Sequence, residues 1–214
     1  MALFQSGVTT DSATIDPTFK SQRVVIKPDE ALGSYQVSAA TGAITTLAAN
    51  GPIFSFRYAP GLGQVCVIKR VSISFIATTG FTAGQSMGFG MYVARSFIAS
   101  DTVGTAIVVT GNNQKNITKQ VTSGVVDARI SAAAVLTAGT RTLDTQALGA
   151  TQFYTGTAAG TLLPNTNLVS YNANDYPLVL QNNEGFVITN QILMGAGGVG
   201  NAVVNVEWFE TTSF

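Results

Sequence analysis

Hydrophobic and polar positions alternate along short segments of this chain, and the clearest alternation lies near its end. Ala202, Val204, Val206 and Trp208 fall on one side of this last segment, with polar residues among those between them. A period of two over this length predicts a half-buried β-strand. Two shorter apolar runs precede it in residues 176–210, separated by glycine- and asparagine-containing turns. The pattern therefore predicts a hairpin that closes a sheet.

The earlier part of the chain repeats this pattern in segments that differ in length. Residues 53–58 alternate, and residues 64–79 form the longest candidate strand. Lys69 interrupts the apolar face of that strand, which predicts a β-bulge or a change of partner strand. Gly88 and Gly90 alternate with apolar residues, which predicts that another backbone or an aromatic ring approaches closely there. The apolar residues predicted to share one face of the longest strand are Val65, Val67, Val71, Ile73 and Phe75.

The whole pattern predicts an all-β fold. Residues 125–136 are the one place where a helix competes, and their alternation favours a strand. Turns are also predicted at 164–167 and 172–175, on either side of a long connection. Eight to ten short strands with frequent turns are typical of an antiparallel β-sandwich, here jelly-roll-like, with a barrel as the second choice. We predict this sandwich domain over residues 34–214.

Residues 1–33 lack a sustained period, and Pro17 and Pro28 interrupt any regular element. We predict an extended N-terminal arm, in which only residues 24–26 resemble a strand. Such an arm either adds a strand to the open sheet edge of a neighbouring molecule or folds back over its own sandwich. The arm residues predicted to contact neighbouring subunits are Phe4, Phe19, Arg23, Val24, Val25 and Ile26.

Composition narrows the possible partners. Only 10% of residues are charged, and 11 basic residues balance 11 acidic ones, whereas typical globular chains carry about 25% charge. The exposed surface must therefore consist largely of uncharged polar and small residues. Such a surface favours a protein that functions within a larger assembly. We expect no nucleic-acid partner, because phosphate binding needs a basic patch, and the only adjacent basic pair is Lys69 and Arg70. We also expect no membrane partner and no secretory signal, because no apolar run is long enough.

The usual catalytic and metal-binding residues are scarce. The chain has no histidine, and Cys66 is its single cysteine, which we expect to be buried. Residues 195–200 match the spacing G-x-G-x-x-G, but the segment that follows alternates as a strand, whereas a dinucleotide site needs a helix there. We therefore predict a glycine-rich turn, with no cofactor and no metal.

The carboxylates do not form an evident catalytic pair. Glu207 and Glu210 are predicted on opposite faces of the last strand. Asp127 and Arg129 share a face and are predicted to form a surface ion pair that contributes little to stability. We expect no enzyme, although the fold itself has the capacity to bring two distant carboxylates together.

A set of segments resembles one family of proteins. Residues 176–210, together with 92–97, 109–113 and 136–144, are similar to segments of a group of phage and prophage proteins. The resemblance covers roughly residues 34–210 and implies a structural protein of the virion. In size and character, the chain most resembles the jelly-roll cement or decoration proteins of tailed-phage capsids.

This resemblance implies a specific role and location. We expect a protein made in the host cytoplasm that binds the outer surface of the phage head and joins neighbouring capsomers. Its partner would be the major capsid protein, and it would itself form a homodimer or homotrimer.

Two other functions remain open. A tail, fibre or head-fibre component would recognise a host surface, with Phe153, Tyr154 and Tyr171 as candidate sugar-binding aromatics, although packing in a core or an interface is the more ordinary role of each. A cellular carbohydrate-binding or carbohydrate-degrading sandwich is the third alternative, and Asp127 is its candidate carboxylate.

Overall fold

The computed structural model describes residues 32–61, 63–109, 115, 121–172 and 175–212, and within these residues it contains strands and no helix. This confirms the prediction of an all-β fold. The strands of the described residues are β1 (Gly33–Ala40), β2 (Gly51–Tyr58), β3 (Val65–Thr79), β4 (Gln85–Phe97), β5 (Thr105–Ala106), β6 (Val125–Ile130), β7 (Arg141–Leu143), β8 (Gly149–Thr155), β9 (Leu162–Ser170), β10 (Leu178–Leu180), β11 (Glu184–Asn190) and β12 (Val199–Thr211).

These strands form two antiparallel sheets that pack face to face. In the described part of the chain, the five-stranded sheet has the order β1-β12-β3-β10, and β9 also pairs with β3. The seven-stranded sheet has the order β5-β6-β2-β11-β4-β7, and β8 also pairs with β4. Because β9 and β10 pair with different parts of β3, they lie end to end along its edge.

The chain passes repeatedly from one sheet to the other. Strands β1, β3, β9, β10 and β12 belong to the five-stranded sheet, whereas β2, β4 and β11 are among those of the seven-stranded sheet. The first strand, β1, pairs with the last, β12, and β2 pairs with β11. This nested pairing is the order of a jelly roll. The predicted antiparallel, jelly-roll-like sandwich is confirmed.

The predicted closing hairpin is wrong. Strands β11 and β12 lie in different sheets, so residues 191–198 connect the two layers and do not form a hairpin turn. Residues 181–183 likewise connect β10 in one sheet to β11 in the other. Alternation identifies the buried face of a strand but carries no information about its partner, and both strands bury a face in the same core.

The long strand β3 contains both irregularities that Lys69 suggested. Its pairing with β12 steps from Arg70 opposite Glu207 to Ile68 opposite Trp208, which leaves Lys69 as a bulge. On its other edge, the partner changes from β9 to β10 at the same place. The prediction of a bulge or a partner change is therefore confirmed.

The bulge corrects the predicted face of β3. One extra residue exchanges the two faces of a strand, so Cys66 and Ile68 join Val71 in the core. Val67 pairs with Phe209 on the other side of the sheet. The prediction that Val65 and Val67 share a face with Val71, Ile73 and Phe75 is wrong for that reason.

The other local predictions have mixed outcomes. Residues 125–130 form β6, which confirms a strand in place of a helix. The turn predicted at 164–167 is wrong, because these residues lie within β9. Strand β9 is irregular, with two register shifts against β3, and an edge position accommodates the proline that suggested a turn.

Gly88 and Gly90 lie at a close approach, as predicted. A Cβ atom at Gly88 would lie 3.2 Å from the backbone carbonyl oxygen of Thr151, and one at Gly90 would lie 3.1 Å from the ring of Tyr92. The side-chain amide of Gln191 lies close to both positions as well, at 2.6 Å from a Cβ atom at Gly90. The prediction of a nearby backbone or aromatic ring is therefore confirmed.

Aromatic side chains from both sheets fill the core. Phe56 stacks on Phe186 at a centroid distance of 5.0 Å and meets the edge of Trp208 at 5.2 Å. Trp208 also stacks on Tyr35 at 5.5 Å. These contacts join β1 and β12 of one sheet to β2 and β11 of the other. Cys66 is buried, as predicted.

The N-terminal arm, as far as residue 31, lies outside the described residues. The same is true of its predicted contact residues Phe4, Phe19, Arg23, Val24, Val25 and Ile26. Strand β1 begins at Gly33, the last residue of the predicted arm.

Candidate functional site

A buried carboxylate lies near the end of β12. Glu210 is only 1% exposed and follows Trp208 on the core side of the strand. Its carboxylate accepts hydrogen bonds from Nε1 of Trp208 at 3.0 Å, from the backbone N–H of Gly124 at 2.9 Å, and from the Ser123 hydroxyl. These donors offset part of the cost of burying a charge.

Burial dominates the acid–base properties of this cluster. It raises the pKa of Glu210 above the ordinary value of 4.5, although the bonds from Ser123, Gly124 and Trp208 act in the opposite direction. Burial also raises the pKa of Tyr35 and Cys66, and the nearby charge of Glu210 adds to both increases. Because Glu210 is closed off from solvent, this cluster is suited to holding the fold together and not to acting on a substrate.

The cluster fastens one connection to the end of the sandwich. Residues 121–124 lead into β6 of the seven-stranded sheet, whereas Glu210 and Tyr35 belong to the five-stranded sheet. The hydroxyl of Tyr35 donates to the carbonyl of Val121 at 2.7 Å. The predicted opposite orientation of Glu207 and Glu210 is confirmed, since Glu207 lies on the outer face with Arg70. An acidic residue at an inward position of the alternation is the signal that identifies Glu210, and sequence reasoning did not use it.

Replacement of Glu210 by glutamine is expected to change how stability depends on pH. A pKa that is higher in the folded state means that the folded protein binds the proton more tightly. The contribution of Glu210 to the free energy of unfolding is therefore fully present at acid pH, and it is lost as the pH rises above about 4.5. The variant is expected to lack that decline and to be less stable by about 1–3 kcal/mol at acid pH, because its amide group faces hydrogen-bond donors.

Urea unfolding of both proteins at about pH 4 and about pH 7 measures this difference. Glu207→Gln, on the outer face of the same strand, is the matched control, because it removes a carboxylate and leaves the buried cluster intact, and it is expected to keep the decline in stability that Glu210 causes above about pH 4.5. A glutamine variant at position 210 with the same pH dependence as the wild type would contradict the account.

A second feature is a polar cleft on the outer face of the five-stranded sheet, with a volume of about 540 Å³. Its polar side chains come from four neighbouring strands. We call it the sheet cleft, and its polar lining residues are Gln36, Ser38, Arg70, Ser72, Asn165, Asn205 and Glu207. Such side chains are expected on an outward-facing sheet surface, but the volume of this open cleft lies within the range of ligand sites.

Hydrogen bonds hold the floor of the sheet cleft in place. The side-chain amide of Asn205 donates to the Ser72 hydroxyl at 3.3 Å and to Oδ1 of Asn165 at 3.4 Å. Arg70 and Glu207 form an ion pair across the pairing of β3 and β12. The cleft therefore presents amide and hydroxyl groups, and its two charges cancel.

The residues named as candidates from the sequence lie apart from both features. Asp127 and Arg129 form the predicted ion pair on β6, with Nε of Arg129 at 3.0 Å from Oδ2 of Asp127, but their side chains are 17% and 27% exposed, so the pair is more buried than the predicted surface pair. Phe153 is partly buried and packs against Phe75 and Phe89. Tyr171 is partly buried against the core, and Tyr154 is exposed on β8.

The glycine motif at 195–200 leads into a strand. Strand β12 begins at Val199, inside the motif, so no helix N-terminus follows the glycines. Gly197 has a φ of +80°, a conformation that glycine adopts without strain. A Cβ atom at Gly200 would lie 2.2 Å from the ring of Phe75. The glycines form a turn and no cofactor loop, as predicted, but the turn connects the two sheets and is not the predicted hairpin turn. The close packing at Gly200 was not predicted.

The described residues contain neither a metal-binding cluster nor a membrane-spanning helix. Within that part of the chain, no group of three or more histidine, cysteine, aspartate or glutamate residues is placed to hold a metal ion. The same residues contain no helix with the length and apolar character needed to cross a bilayer.

Comparison with protein-family models, with curated proteins and with solved structures finds no match for this chain.

Proposed function

We propose that this protein is a structural component of a phage particle, a cement or decoration protein on the outer surface of the head. The segments that resemble phage proteins support this role, and they include all of β10 and β11 and most of β12. A jelly-roll sandwich suits it because the two sheets form a rigid body from which connecting segments extend.

The observation that carries the proposal is a pair of exposed apolar side chains at one end of the sandwich. We call it the arm end, because strand β1 begins there, at Gly33. The connection between β5 and β6 reaches this end, where the hydroxyl of Tyr35 donates to the carbonyl of Val121, and in it Val108 and Val121 are 65% and 51% exposed. Exposed apolar side chains at one end of a weakly charged protein are typical of a contact surface.

Many modest contacts would provide the stabilising effect. Each copy would bury the arm end and its neighbouring surface against the major capsid protein, and self-association as a dimer or trimer would multiply these contacts. Repeated over a lattice, such contacts give strong avidity without any single strong interaction. The role requires neither a catalytic residue nor a cofactor, and the protein would reside on the capsid surface after synthesis in the host cytoplasm.

The number of copies in purified particles tests this role. Quantitative mass spectrometry against the major capsid protein is expected to give hundreds of copies per particle, because a cement protein occupies repeated lattice positions. A value of a few copies would contradict the proposal, since it fits a tail or fibre component.

The exposure of Tyr154 favours a second candidate function, recognition of a host surface by a tail, fibre or head-fibre protein. Tyr154 is 67% exposed on β8, whereas Phe153 and Tyr171 pack against the core. An exposed tyrosine is able to stack on a sugar ring. Labelling of particles with an antibody, viewed in negative stain, separates this candidate from the first, because label on the tail alone would support only the second.

A further inference from the structure

The sheet cleft has the features of a built binding site. Two rows of polar side chains cross the face where β1, β12 and β3 pair: Gln36, Glu207 and Arg70 form one row, and Ser38, Asn205 and Ser72 form the other. In the second row, short serines lie on either side of Asn205, and the two rows line the cleft. Ser72 is only 1% exposed and accepts a hydrogen bond from Asn205, so it holds that amide in place from below.

The hydrogen-bonding groups in the cleft define what it is able to bind. Side-chain amides offer both donors and acceptors, and serine hydroxyls do the same. A ligand with many hydroxyl groups matches this surface, because each hydroxyl also both donates and accepts. Gln36 and Asn205 lie on neighbouring strands. Since the Asn205 amide already donates to Ser72 and Asn165, Asn205 offers its Oδ1 as an acceptor, whereas Gln36 offers both a donor and an acceptor. Adjacent hydroxyls on one sugar ring are able to bind both groups together.

The charges in the cleft argue for a neutral ligand. Arg70 is paired with Glu207, so the guanidinium group does not present a free positive charge to a phosphate, sulfate or carboxylate. The lining residues include no aromatic side chain, which disfavours ligands that bind through a large apolar surface.

We propose that the sheet cleft, through Gln36, Ser38 and Asn205, binds a neutral carbohydrate chain. The affinity is expected to be modest, with a dissociation constant of about 0.1–1 mM, because polar contacts on an open surface gain little after desolvation. This inference goes beyond the proposed role in the particle, since a capsid protein does not need a sugar-binding face.

Binding to defined oligosaccharides tests the inference on the full-length protein. The probes are neutral oligomers of glucose, mannose, galactose and N-acetylglucosamine, with sialylated glycans and heparin fragments as anionic probes. At least one neutral series is expected to bind in saturation-transfer NMR and calorimetry, and the anionic probes are expected not to bind. Asn205→Ala is expected to weaken that binding about tenfold, because it removes one amide from the centre of the cleft.

A matched pair of variants separates the cleft from the rest of the surface. Gln36 lies in the cleft, so Gln36→Ala is expected to weaken binding. Gln152 is exposed on β8 of the other sheet, so Gln152→Ala is expected to leave binding unchanged. Unfolding curves confirm that each variant remains folded. Failure of every neutral probe to bind would overturn the inference, as would equal effects of Gln36→Ala and Gln152→Ala. The particle copy number is measured separately, so the two proposals succeed or fail independently.

Discussion

Replacement of Trp208 by alanine is expected to lower the free energy of unfolding by about 3–5 kcal/mol, the usual cost of removing a buried tryptophan. Trp208 is fully buried and contacts Tyr35 of its own sheet and Phe56 of the opposite sheet. Its Nε1–H also donates to Glu210. The substitution would therefore leave a large cavity between the sheets and remove one of the donors to a buried carboxylate.

Trp208→Phe separates these two effects. Phenylalanine keeps a ring between Tyr35 and Phe56 but cannot donate to Glu210, so we expect a smaller loss of about 1–3 kcal/mol. Chemical denaturation at neutral pH measures both variants. A loss below about 1 kcal/mol for Trp208→Ala would contradict the placement of this side chain at the centre of the core.

The second large effect is expected at Asp101, in the connection between β4 and β5. Its side chain is fully buried and forms an ion pair with Arg141, whose side chain is 6% exposed. The backbone N–H of Gly139 also donates to Asp101 at 2.9 Å. Asp101→Ala would leave a buried guanidinium group without its counter-charge, so we expect a loss of about 3–5 kcal/mol.

A neighbouring ion pair provides the matched control for Asp101. Nε of Arg95 lies 3.3 Å from Oδ2 of Asp144, and the two side chains are 53% and 39% exposed. Asp144→Ala is therefore expected to cost less than about 1 kcal/mol. The free energy of unfolding of both alanine variants is measured under the same conditions. Equal losses would show that burial of the Asp101 pair does not govern its contribution to stability.

The alternation of residues predicts the class of fold but not the pairing of its strands. Period-two segments such as β2 and β12 identify strands and their buried faces, because each side chain must choose the core or the solvent. Pairing depends on contacts between residues far apart in the chain, and β11 and β12 follow one another in sequence yet lie in separate sheets. Lys69 is an exception, because a charged residue in an apolar run marks a local irregularity.

The candidate sites were harder to predict for the same reason. Glu210 meets Ser123 and Gly124 only because β12 and the connection before β6 reach the same end of the sandwich. The sheet cleft likewise combines residues that the sequence separates by more than a hundred positions, such as Gln36 and Asn205. In contrast, Asp127 and Arg129 are two residues apart on one strand, so their ion pair was predictable from spacing alone.

The most direct test of the proposed role is an electron cryo-microscopy map of the intact phage particle. We expect density for the sandwich on the outer surface of the head, repeated at the junctions between capsomers, with the arm end in contact with the major capsid protein. Density for the protein on the tail alone, or its absence from the particle, would contradict the proposal.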